Sequence, residues 1–140
     1  MELRRYRDDD INLVVTLFYE TVHSVNARDY SQEQLNAWAS MDEKESRMRS
    51  WGISLKQNIT YVAELDGILV GFADMTLEGY LDRLYIHKDF QGRGIASALV
   101  KELEKDGERL GLSSIETDAS ITARPFFERR GYELLQAQTV

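Results

Sequence analysis

The residues whose types and spacing could do chemistry lie together in Gln91-Gly92-Arg93-Gly94-Ile95-Ala96. They follow an alternating apolar run at residues 81–86 and a short polar turn, and they open a helical apolar stripe at Ile95, Leu99, Leu103 and Leu110. A helix start presents N–H groups without intrahelical partners and a partial positive charge of roughly half an electron, while glycine lets a ligand approach the backbone. Strand, glycine turn and helix start together make an anion site of a size that suits a diphosphate. Gly-x-Gly also satisfies the simpler need of a tight strand-to-helix connection. A dinucleotide fold is a further reading, because Gly92, Gly94 and Ser97 approximate G-x-G-x-x-G, and Glu116 follows at a strand end where a ribose ligand belongs. Against it, a polar turn separates strand from glycines, Ser97 replaces the third glycine, and the N-terminal leader does not build a doubly wound sheet.

Such a site acts only if other elements hold it. Residues 3–7 read as a first strand, and Asp8, Asp9 and Asp10 offer an N-cap and first-turn carboxylates to a helix. Leu13, Val14, Leu17, Phe18, Val22 and Val25 recur at three and four, so the spacing predicts one buried helical face ending near Asn26. Ser31-Gln32-Glu33-Gln34 has the form of a capping box ahead of Leu35 and Trp38, and Asp42-Glu43-Lys44-Glu45 repeats it ahead of a charged helical segment reaching Arg49. Residues 59–64 and 68–75 are β-rich and joined through Asp66-Gly67, a hairpin signal because both residues tolerate positive φ. Strand 81–86, helix 94–110 and strand 113–118 form a parallel βαβ unit. Residues 121–130 read as a short helix stopped by Gly131, and residues 132–139 as a last strand. The order is βααβββαβαβ, an α/β chain with a mixed central sheet.

Composition narrows the function. A chain of 140 residues suits a single domain, 1–140, that needs no staples. A net charge of −7 argues against nucleic acid as the main partner and tolerates a cationic substrate. The absence of cysteine excludes thiolate catalysis, disulfides and Cys-based zinc sites, and with only two histidines a metal site has little support. No apolar run approaches the ~20 residues that span a bilayer, and the N-terminus lacks the apolar core of a signal peptide, so a cytoplasmic location without membrane contact is expected.

Gln91-x-x-Gly94-x-Ala96 resembles the Q/R-x-x-G-x-G/A pyrophosphate loop of the GNAT N-acetyltransferase superfamily. The resemblance covers nearly the whole chain. Leu84-Tyr85-Ile86-His87-Lys88-Asp89-Phe90 is similar to the strand and turn before that loop, residues 62–72 to the family's meander, and residues 123–132 to its A-x-x-F-Y-x-x-x-G-F helix. Tyr30-Ser31, Ala37-Trp38-Ala39 and residues 118–129 resemble a YafP-like bacterial subgroup.

The resemblance implies the GNAT fold, with acetyl-CoA as cosubstrate lying between splayed parallel strands. It also implies direct transfer of the acetyl group to an amine of a small molecule or peptide. Leu84, Tyr85 and Ile86 would face the pantetheine and acetyl group, Gln91, Gly92, Arg93, Gly94, Ile95, Ala96 and Ser97 would hold the diphosphate, and Ser120, Phe126 and Phe127 would complete the cofactor site. A lysine-like amine has a pKa near ~10.4, so a carboxylate that takes its proton helps, and Asp82 is the candidate base. Tyr80 is the second catalytic candidate, as a pocket or water-holding residue. His23, Asn26, Tyr30 and Trp38 are candidates to line the acceptor pocket. The family's general-acid tyrosine is here Phe127, which cannot donate a proton, and the Asn that often precedes that helix is Ser120. The family's seventh strand has no counterpart before Val140, which leads to the expectation of a homodimer or an incomplete sheet. The alternative activity is a non-catalytic acyl-CoA-binding or regulatory domain of the same fold.

Overall fold

The computed structural model describes residues 1–133. Strand β1 (Glu2–Arg5) leads through the acidic turn to helix α1 (Ile11–Ser24), followed by helices α2 (Gln32–Trp38) and α3 (Lys44–Gln57). The meander β2 (Ile59–Leu65), β3 (Ile68–Met75) and β4 (Tyr80–Ile86) comes next, then helix α4 (Ile95–Arg109), strand β5 (Glu116–Thr117) and helix α5 (Arg124–Arg129). The five strands form one sheet in sequence order, antiparallel except for the parallel β4–β5 pair. Among the described residues no helix is long and apolar enough to cross a membrane.

The leader holds three helices where the expected order counts two. The charged segment opening at Asp42 is a helix in its own right and runs to Gln57, beyond Arg49, because Trp51 and Leu55 give it a face on the core. The capping box at Ser31 forms as expected, with Gln34 N–H donating to Ser31 Oγ and Ser31 N–H to Gln34 Oε1. Its expected repeat does not: a 3-10 turn at Met41–Glu43 precedes α3, and neither Ser40 nor Glu43 caps by its side chain. The Asp66-Gly67 hairpin has positive φ at both residues, 52° and 80°. The last strand expected at 132–139, and with it the question of a missing seventh strand, falls largely outside the described residues.

Two apolar layers sandwich the sheet. Val14, Phe18 and Val22 of α1 and Leu55 of α3 pack on Val62, Leu69 and Phe72. On the opposite face Leu99 and Leu103 of α4 and Phe127 of α5 pack on Val70, Ala73, Met75 and Leu81. Full burial of such a side chain contributes ~1.5–3 kcal/mol, so both layers hold the sheet firmly where β4 needs support.

One irregularity matters for function. In the β3–β4 ladder Asp74 opposes Arg83 and Met75 opposes Leu81, which leaves Asp82 as an extra residue, a β-bulge. The β4–β5 pairing ends at the same place. Tyr80 opposes Glu116 and Leu81 opposes Thr117, and the strand expected at 113–118 is reduced to those two residues. From Asp82 onward β4 has no β5 neighbour.

Candidate active site

Where β4 and β5 part, a cleft of about 380 Å³ opens. Along β4 its wall is Asp82, Leu84, Tyr85 and Ile86, continued by Gln91, Gly92, Gly94, Ile95, Ala96 and Ser97. Facing them are Asp118, Ala119 and Ser120 beyond β5, with Phe126 and Phe127 of α5, while Thr21, Val25, Asn26, Arg28 and Trp38 close the side toward α1 and α2.

The glycine turn is shaped by conformation. Gly92 and Gly94 have φ of 72° and 78°, the left-handed region that side chains disfavour, and open space surrounds the position of a Cβ at each. Gly94 is the N-cap of α4 and supplies no capping side chain, so the first-turn N–H groups remain available to a ligand. Gln91 Nε2 donates to the carbonyl of Ile86 at 2.7 Å, which locks the turn against the end of β4. Arg93 is exposed and lies 5.0 Å from the centre of the Phe90 ring, outside the cleft wall.

The other end is built from side chains. Asp82 is 38% exposed, and its Oδ2 lies 3.6 Å from Nη2 of Arg83. Arg83 turns toward α3, where it pairs with Asp74 at 2.5 Å, donates to Ser54 Oγ at 2.8 Å and stacks over Trp51 at 4.5 Å. Asp74 is completely buried. Burial pushes its carboxyl up to about 6, against the pull of the Arg83 charge and of the Asn58 hydrogen bond.

Tyr80 does not line this cleft. It borders a neighbouring cavity with Glu116 and Arg124, and its hydroxyl donates to Asp118 Oδ2 at 2.9 Å. Burial, then that carboxylate, push the phenol up to about 12, so it stays protonated at neutral pH. Asp118 reaches both cavities. It was not anticipated from sequence, although the register contains the signal: after Tyr80–Glu116 and Leu81–Thr117 the next step of a parallel ladder is Asp82–Asp118.

Among the candidate acceptor residues, Asn26 and Trp38 reach the cleft and His23 and Tyr30 do not. His23 Nε2 lies 2.8 Å from the carbonyl of Ala39. The Tyr30 hydroxyl accepts the Ile121 N–H at 2.6 Å, and Thr122 Oγ1 donates to Asp29 Oδ2 at 2.7 Å, so these residues tie the turn after α1 to the segment after β5. Ser120 Oγ accepts the Ala123 N–H and helps start α5. Phe127 is 4% exposed and packs between Phe126 and Tyr132. Among the described residues no three or more His, Asp or Glu side chains gather to hold a metal.

Comparison with known proteins agrees with this architecture. A family model described as an acetyltransferase (GNAT) domain matches residues 26–140. The uncharacterized N-acetyltransferase YafP of Escherichia coli (strain K12) is 34% identical over all 140 residues, which correspond to 86% of that protein. A crystal structure of a GCN5-related N-acetyltransferase from Rhodopseudomonas palustris superposes with a TM-score of 0.91 at 35% identity, over 99% of this chain and 85% of that one. The PaiA N-acetyltransferase of Thermoplasma acidophilum, solved with coenzyme A, superposes with a TM-score of 0.80 at 20% identity, over 98% of this chain and 92% of that one, a likeness of fold.

Proposed function

Given that the chain belongs to the GNAT acetyltransferase family, we propose that it is a single domain that transfers the acetyl group of acetyl-CoA directly to an amine nitrogen of a small molecule or peptide. The observation that carries this reading is the cleft itself: two parallel strands part beside a helix start whose turn needs two left-handed glycines. A cysteine-free chain supports a reducing cytoplasm as its setting.

Acetyl-CoA, when bound, supplies the activated acyl group, and the chain's own residues do the rest. The first-turn N–H groups of α4 hold the diphosphate, with the helix dipole adding up to ~1 kcal/mol. Arg93, on the exposed flank of the turn, adds charge from outside the wall. His87 N–H bonds the carbonyl of Val70, so by the alternation of an antiparallel ladder the backbone groups of Leu84 and Ile86 point away from β3, toward the gap. The Ile86 carbonyl is already satisfied by Gln91 and by Thr21, whose hydroxyl donates at 3.2 Å, which leaves the Ile86 N–H and both groups of Leu84 for the pantetheine and acetyl group. Ser120, Phe126 and Phe127 shelter the thioester from the far side.

Asp82 takes the proton from the amine, directly or through water, and Asp118 across the opening attracts the incoming ammonium. Tyr80 serves through Asp118. A thiol leaves with a pKa near ~8.5, so the thiolate departs without the help that Phe127 cannot give. Phe127 also favours a second reading, an acyl-CoA sensor that binds without turnover. Calorimetry with acetyl-CoA followed by thiol release with a panel of primary amines separates the two. Binding with turnover supports the enzyme, binding without turnover the sensor, and no binding at high micromolar acetyl-CoA rejects both.

A further inference from the structure

Asp74 and Arg83 form a buried ion pair that the acetyl transfer described above does not use. Such pairs are a poor source of stability, because taking both charges out of water costs about as much as their attraction returns. This one is also incompletely satisfied. Both side-chain hydrogen bonds that reach the Asp74 carboxylate, from Arg83 and from Asn58, go to Oδ2, and no side chain reaches its buried Oδ1. Replacing such a pair with well-packed apolar groups is often neutral or stabilising, and this pair stands next to the cleft.

Arg83 links the pair to the cleft. Its guanidinium is fixed on several sides: Nη1 on Asp74 of β3, Nη2 on Ser54 of α3, and its plane over Trp51. The same Nη2 faces Oδ2 of Asp82, the bulge residue at the mouth of the cleft, at 3.6 Å. One guanidinium thus stands between a carboxylate sealed in the core and a carboxylate open to the cleft.

We propose that Arg83, held by Asp74, is a positioning residue for Asp82, with the buried carboxylate setting how much of the guanidinium charge reaches the cleft. The proposal rests on the reading of Asp82 as the base. Arg83 limits where the Asp82 carboxylate can swing on its bulge, so that the carboxylate is held toward the docked amine. Asp74 anchors the guanidinium from the core side and, when ionised, offsets part of its charge. Among the described residues, the ionisable groups around this assembly include Tyr80 and Tyr85 on β4, both of which feel the Asp82 charge, Asp118 beyond β5, and Arg47 on α3, whose charge reaches Tyr85.

The test uses the full chain, acetyl-CoA and a panel of benzylamine, 1,4-diaminobutane and lysine, with kcat measured against pH at saturating amine. Removing the guanidinium with Arg83→Met lowers kcat and moves its acid limb to higher pH, whereas Asp74→Asn, which mimics the protonated carboxyl, lowers the plateau above a pH of about 6, where Asp74 is ionised, and leaves kcat near wild type below it. The Arg83→Met shift is about half to one pH unit, the lower end of what a nearby charge produces. The Kd for acetyl-CoA, read by calorimetry, stays within about twofold in both. Arg83→Lys keeps the charge, so its limb stays near wild type while kcat falls about tenfold because the planar fork is lost. If Arg83→Met does not fold, Asp74→Asn and Arg83→Lys still decide the matter. An Arg83→Met limb that stays in place, or an Asp74→Asn deficit that is as large below a pH of about 6 as above it, overturns the proposal and leaves Asp82 untouched. An Asp82→Asn protein with wild-type kcat overturns the base assignment, and this proposal with it.

Discussion

The two ends of the cleft are made of different material. In the proposed reading the working groups at the Gln91–Ser97 end are backbone N–H donors, and the side chains serve to bend the chain and seat it. At the Asp82 end the backbone contributes a bulge, and the proposed working groups are carboxylates contacted by Arg83 and Tyr80. A site made of backbone tolerates many side chains but few conformations. One made of side chains depends on each identity and on the neighbours that hold it.

The comparison fails if substitutions at the two ends have the same signature. The largest effect is expected from Asp82→Asn, which lowers kcat by ~100- to 10,000-fold, the usual range for a general base, and leaves the calorimetric Kd for acetyl-CoA within about twofold. Gly94→Val should do the reverse. A branched side chain at φ 78° costs on the order of 1–3 kcal/mol and spoils the helix start, so acetyl-CoA binds ~10- to 100-fold more weakly, while kcat at saturation falls much less. Asp118→Asn removes a partly solvated charge and should raise KM for the amine by ~3- to 10-fold with little change in KM for acetyl-CoA. A weaker acetyl-CoA complex in Asp118→Asn would move that residue to the cofactor end and blur the distinction.

The smallest effect concerns stability and sharpens the chemical end. The Asp74 carboxyl rises from 3.8 to about 6 on folding, so between those values the unfolded chain has lost a proton that the folded chain keeps. The stability associated with that proton is complete below pH ~4 and is lost as the pH rises through about 6. Thermal melts should therefore show the wild type losing a few degrees more than Asp74→Asn between pH 4 and 7. Equal slopes would mean that the Arg83 charge, not burial, controls Asp74.

The same division decided what was legible in the sequence. Gln91, Gly94 and Ala96 announce their end because conformation and close approach restrict residue choice at fixed spacing, and the residues nominated there line one cleft, with Arg93 the exception. Asp82 was found because it lies on the strand beside the loop. Asp118 and Asp74 were not found, because what brings them to the site is the pairing register, a relation between strands that local pattern does not state. Tyr80 and Tyr30 were nominated for the cleft and instead hydrogen-bond the segment after β5. Long side chains can face either of two cavities, and only packing chooses. The bulge left a faint mark, the adjacent polar pair Asp82-Arg83 in an otherwise alternating strand.

That bulge changes the parity of β4. Leu84 and Ile86 face α4 while Arg83 and Tyr85 face the opposite layer, and simple alternation would send Leu81 to the layer of Tyr85. Leu81 nonetheless faces α4, because Asp82 occupies a step without using up a side of the sheet. If Asp82 were excised, Leu81 and Arg83 would become consecutive, each still on its present face and opposite its present partner. The sheet thus has no need of Asp82 and would be more regular without it, which makes this aspartate a guest of the strand rather than one of its rungs.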